Sequence, residues 1–171
     1  MSIAPPLAKI TVGVVVERRK AASPWIDFTW RPVSLLTGSP AAAPWTPLSE
    51  DGESATFYAG AADIELHRTE TGNYRDNLAS KAPLLWVALR PTGVEPPYEV
   101  FAVTADPAEG EALSETGCDL VDVVPMPEPV RLQIAEFVAA HHVERPFYKR
   151  QRDAADPEAL ARRKPIGKTS T

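Results

Sequence analysis

Ile10-Thr11-Val12-Gly13-Val14-Val15-Val16-Glu17 places Ile10, Val12, Val14 and Val16 at every second position, against Thr11, Gly13 and Glu17. A period of two sends the first set to one side of a pleated strand, and β-branched side chains suit that pleat. The rhythm recurs downstream. Ile26, Phe28 and Trp30 alternate with Asp27, Thr29 and Arg31, and Pro32, which has no N–H for a ladder, marks this second strand as an edge or a strand end. Thr56 to His67 predicts a third strand, with Ala62, Ile64 and Leu66 on one face and Asp63, Glu65 and His67 on the other. Leu84 to Leu89 is apolar throughout, the pattern of a central strand covered on both faces. Tyr98 to Thr104 and Leu120 to Val124 add two more strands.

Between these runs, Ser39 to Gly52 reads as a loop carrying an exposed Trp45, and Thr69 to Ala82 as a long connection or one weak helical turn in which Gly72, Asn73 and Asn77 are turn formers. Pro107 to Thr116 predicts a short helix stopped by Gly117. A last helix is expected over 127–142, because Val130, Ile134, Phe137, Val138 and His141 fall on one arc at ~100° per residue. The fold class expected is α+β: mostly antiparallel β, curled or barrel-like, with a C-terminal amphipathic helix. Residues 1–144 form a single β-rich domain, and 145–171 a basic tail, disordered beyond about 152.

A length of 171 residues suits one domain, and eighteen prolines placed at the joints keep its elements short, which favours strands over a helical bundle. The single cysteine, Cys118, excludes an internal disulfide framework and reads as a small buried hydrophobe. No apolar run approaches the ~20 residues of a membrane-spanning helix, and no secretion signal precedes Ile10, so a cytoplasmic protein is expected. Charge is divided unevenly. Residues 145–171 hold eight Lys/Arg against three Asp/Glu, a balance of +5, which leaves ten basic against twenty acidic residues before them. An acidic body argues against nucleic acid as the main partner. A basic, aromatic-bearing tail points to docking.

The densest cluster of functional groups runs from Glu65 to Asn77. Asp63, Glu65 and His67 are either the wet face of a half-buried strand or an acid/base or metal-ligating set. A recognition role suits Arg68, Tyr74 and Arg75, since guanidinium forks and phenol rings are favoured at binding surfaces. His141 lies on the apolar stripe and is expected to cap the helix with its ring packed, whereas His142 points about 100° away, so the pair cannot comfortably chelate one ion. Phe147-Tyr148-Lys149-Arg150 is either a docking patch or a pair of aromatics folded back on the body. No phosphate-cradling loop, dinucleotide fingerprint or nucleophile elbow occurs, and the first strand runs into Glu17-Arg18-Arg19-Lys20 instead of a Gly-rich turn.

Three stretches together carry a resemblance. They are Glu65-Leu66-His67-Arg68-Thr69-Glu70-Thr71 with Tyr74-Arg75 and Asn77-Leu78, then Val124-Pro125-Met126-Pro127-Glu128, then Phe137-Val138 through His141-His142-Val143-Glu144 to Pro146-Phe147, Lys149-Arg150 and Arg152. In this order they resemble an uncharacterised family of small proteins, a domain of unknown function, from alphaproteobacteria and their relatives. The likeness covers about Ile10 to Arg152. Genes of that family tend to lie beside those for molybdenum-dependent formate dehydrogenase, and some members are labelled molybdopterin-guanine dinucleotide biosynthesis proteins. The resemblance implies a non-catalytic accessory or maturation factor that binds a formate dehydrogenase subunit, its maturation factors or a cofactor precursor. An enzyme of molybdenum cofactor biosynthesis using Asp63, Glu65, His67 and Glu70 is the alternative, and an unrelated interaction module a third. Binding residues expected are His67, Arg68, Glu70, Tyr74, Arg75, Phe147, Lys149 and Arg150, with no catalytic residue, metal ligand or bound cofactor.

Overall fold

The computed structural model describes residues 4–117 and 119–144. Cys118 and the tail residues Phe147, Lys149 and Arg150 lie outside them. Four strands, β1 (Ala8–Lys20), β2 (Phe28–Thr37), β3 (Thr46–Asp51) and β4 (Ser54–Leu66), form an antiparallel sheet in the order β2-β1-β4-β3. The alternation that opens the chain is buried as its period demands: Ile10 is 6% exposed and Val12, Val14 and Val16 are 0%. The register of β1 shifts against β4 between Val14 and Val15, and against β2 between Val15 and Val16. Opposite the first shift, Gly60 sits at φ 138°, a conformation open to glycine. Pro32 lies on β2, an edge of the sheet, where its missing N–H disrupts no ladder.

Two boundaries differ from expectation. Ile26 belongs to the β1–β2 loop, which Ala21 N–H closes on Asp27 C=O at 2.9 Å. The expected loop over 39–52 contains β3, joined to β4 by Gly52-Glu53. Pro47, Glu50 and Asp51 hide β3 from a propensity reading, yet an edge strand tolerates them. Its neighbour Trp45, at φ 68°, packs edge-on against Trp30 at 5.7 Å and is half-buried, not exposed.

After Leu66 the chain leaves the sheet through a 3-10 turn (Arg68–Glu70) and helix α1 (Thr71–Ala79). It then lays down β5 (Leu84–Pro91), β6 (Tyr98–Thr104), α2 (Pro107–Glu115), β7 (Leu120–Pro125) and α3 (Glu128–His141). The last three strands make a second antiparallel sheet in the order β6-β5-β7. β6 packs near β4 and β7 near β2, so the sheets face each other, and Leu85, Val87 and Leu89 join the β1 residues in one core. The strands are mostly antiparallel, as expected, and form two sheets of which neither closes into a barrel. Helix α1 separates the strands of the first sheet from those of the second in the chain.

β5 is the central strand the apolar run predicts. Its outer side carries Trp86, directly under α2: a Cβ on Gly110 would stand 2.2 Å from the Trp86 ring. Asp106 caps α2 by accepting the Ala108 N–H at 2.9 Å, and Gly117, at φ 67°, follows the end of the helix. α3 buries Val130, Ile134, Phe137 and Val138. Among the described residues no helix is long and apolar enough to cross a membrane.

α1 contains the polar side chain that ties the layers together. Asn77, 6% exposed, donates to the C=O groups of Leu84 (2.8 Å) and Ala105 (3.0 Å) and accepts the Leu84 N–H (3.1 Å). One amide thus fixes the start of β5 and the end of β6 against the helix. The sequence marks Asn77 only as a turn former, because nothing local distinguishes an exposed amide from a clamp.

Candidate binding face between α1 and α3

The start of α1 and the end of α3 meet around His142. The backbone N–H of His142 donates to Val138 C=O at 2.8 Å, so the C-terminal cap falls on His142 and not on His141. The His142 ring turns away from the apolar stripe, as the helical wheel indicates, and lands on α1. Its Nε2 lies 3.0 Å from Arg75 Nη1, and its Nδ1 lies 3.0 Å from Thr71 Oγ1. A guanidinium can only donate, so Nε2 is the acceptor and Nδ1 carries the proton. That proton goes to Thr71 Oγ1, whose own O–H donates to Arg68 C=O at 3.2 Å. Arg75 also pairs with Glu144 at 3.2 Å. Segments almost 70 positions apart, |i−j| 67 for Arg75 and His142, are therefore joined by a directional relay.

His141 contributes packing. Its ring centroid lies 4.6 Å from that of Phe137, which meets Tyr74 edge-on at 6.3 Å. The buried His141 Nδ1 has no hydrogen-bond partner among the described residues. Beside the relay opens a cleft of about 610 Å³, lined by Arg68, Thr71, Gly72, His141, His142 and Val143. Arg68 is exposed on its wall and forms no ion pair with another described residue.

The expected binding residues separate into three groups. Arg68 lines the cleft, and Arg75 stands behind it, on His142 and Glu144. His67 and Glu70 turn elsewhere: His67 lies 3.7 Å from Glu65, and Glu70 accepts from Asn73, whose amide also reaches Asp106 at 3.0 Å. Tyr74, 2% exposed, is inside the protein, accepting the His67 N–H at 3.0 Å. Burial pushes its phenol up to about 12, and the carboxylates of Asp106, Glu70 and Glu109 add to this against the opposing His67 N–H bond. Asp63 bonds Thr11 at 2.7 Å and Glu65 faces Lys9 at 3.7 Å. No group of three or more His, Cys, Asp or Glu is placed to hold a metal among the described residues. Thr71, His142 and Glu144 were not among the expected binding residues. Only the off-stripe direction of His142 hinted that α3 had a second neighbour.

Two open antiparallel sheets, with a polar cleft built from a helix start and a helix end, define a β-rich α+β module. The chain belongs to the family described as Protein of unknown function (DUF3305), whose model matches residues 11–151. No curated protein and no solved structure matches it.

Proposed function

We propose that this protein is a non-catalytic accessory or maturation factor for a molybdenum-dependent formate dehydrogenase, and that the α1–α3 face grips an enzyme subunit or a precursor of its cofactor. One observation carries the binding half of this reading. Glu144, the last described residue, is held on Arg75 beside the cleft that presents Arg68, and the segment that follows it in sequence has a charge balance of +5. Cations from two distant segments then act on one partner, and guanidinium groups suit that use because they bind carboxylates in a fork. The choice of partner rests on the resemblance stated above.

Co-purification from the host tests both halves. Tagged full-length protein is expected to retain a formate dehydrogenase subunit or one of its maturation factors. Deleting residues 145–171, or introducing Arg68→Glu, is expected to cut recovery at least about tenfold, as removal of anchoring cations does at other interfaces. Absence of every such partner from the full-length sample refutes the assignment.

A further inference from the structure

The first sheet is longer than the layer that covers it. β1 and β4 run 13 residues each and β2 runs 10, whereas β5, β6 and β7 run 8, 7 and 6. At ~3.3 Å per residue the excess over β5 is on the order of 15 Å. It emerges where β1 turns into β2, since buried residues of β1 stop at Val16 while Leu66, at the far end of β4, is 1% exposed.

On the inner face of this overhang the row Val12, Val14, Val16 continues to Arg18. The Arg18 guanidinium stands 4.5 Å from the Phe28 ring centroid, 5.3 Å from Phe57 and 5.9 Å from Trp30. Beyond it the loop holds Trp25, 90% exposed, and Ile26, 53%, leading to Phe28, 42%. Beside Phe28 a cavity of about 410 Å³ is lined by Arg18, Lys20, Asp27, Glu50 and Glu53. Asp27, Glu50, Asp51 and Glu53 are all exposed, and none is ion-paired with another described residue. Arg18 keeps its charge against the rings, and Arg19 and Arg31 share Glu17 at 3.1 and 2.9 Å, so with Lys20 four cations stand against five carboxylates and the local balance is −1, with the carboxylates of Asp27, Glu50, Asp51 and Glu53 on the rim.

Contiguous exposed apolar surface on a charged protein marks an interaction site, and tryptophan with arginine is the pair that most often anchors one. We propose that the overhang is a docking surface for a basic segment of another protein that carries an apolar face. Trp25, Ile26 and Phe28 cover the apolar face, and the carboxylate rim meets the Lys and Arg side chains around it. This surface lies at the end of β1 opposite the α1–α3 cleft and is independent of the reading given for that cleft.

Two labelled amphipathic helical peptides, one of Leu and Lys and its Leu and Glu twin, supply the test with the full-length chain. The Leu/Lys peptide is expected to bind by fluorescence anisotropy, with affinity about tenfold lower in Trp25→Ser/Phe28→Ser. Glu50→Lys/Glu53→Lys is expected to move the preference to the Leu/Glu twin, while Arg68→Glu on the far face changes neither. All these positions are exposed, and circular dichroism verifies that each variant folds. No binding, equal binding of the two peptides, or a Leu/Lys affinity untouched by Trp25→Ser/Phe28→Ser overturns the proposal.

Discussion

The two ends of this protein use polar and aromatic side chains in opposite ways. Around α1 and α2 they are enclosed in fixed roles: Asn77 clamps β5 and β6, Asp106 caps α2, Trp86 lies under Gly110, and Tyr74 holds the His67 N–H. At the overhang of the first sheet, Trp25, Ile26 and Phe28 face water among carboxylates with no ion-pair partner among the described residues. The contrast teaches that the first set stabilises the fold whereas the second contributes little to it. Substitutions should therefore fall into two widely separated classes.

The largest effect belongs to Asn77→Ala. It strands the Leu84 N–H and two carbonyl groups inside the protein, and unsatisfied buried groups cost ~1–3 kcal/mol each, less whatever water recovers. A loss of about 3–4 kcal/mol in a denaturant titration is expected, and a loss under about 1 kcal/mol removes the clamp from the account.

Alkali probes the enclosed end next. The folded protein keeps the Tyr74 proton up to about 12, while an unfolded tyrosine releases it near 10.0, so the unfolded state binds fewer protons between those values. Stability from this group is full below pH 10 and falls as pH rises toward 12, by on the order of 2–3 kcal/mol. Tyr74→Phe should flatten that part of the stability curve, as followed by chemical denaturation at stepped pH.

Gly110→Ala sets two principles against each other. Alanine favours a helix over glycine by ~1 kcal/mol, yet the added methyl group would press into the Trp86 ring, and overpacking costs ~1–3 kcal/mol. A net destabilisation of about 1–2 kcal/mol is expected, and a rise in melting temperature breaks the proposed packing. The smallest effect falls on Trp25→Ser, which should move stability by less than about 0.5 kcal/mol. A larger loss would show that the overhang is part of the core and erase the contrast.

Period-two burial made β1 and the later half of β4 legible, and an unbroken apolar run the central β5, because such sets face a core whatever the topology. β3 was not legible. Its residues from Pro47 to Asp51 are exposed, and only pairing with β4 holds them in a strand. Helix α1 could be read only as a long connection or one weak helical turn, for a related reason: it is held by Asn77 and Tyr74 reaching backbone outside the helix, contacts that leave no local periodicity. The site divides along the same line. Arg68 and Arg75 could be singled out from the sequence, since both sit within one short polar stretch. His142 and Glu144 required knowing that α3 ends against α1.

The bond between Arg75 and Glu144 decides where the polypeptide can be shortened cleanly. A version ending at Glu144 keeps the imidazole on Thr71 and the carboxylate on the guanidinium, so the excised portion is the cationic extension alone. One ending at the last turn of α3, at His141, also removes the ring that latches the two helices. Failure of that shorter version would report an injured scaffold and say nothing about the extension.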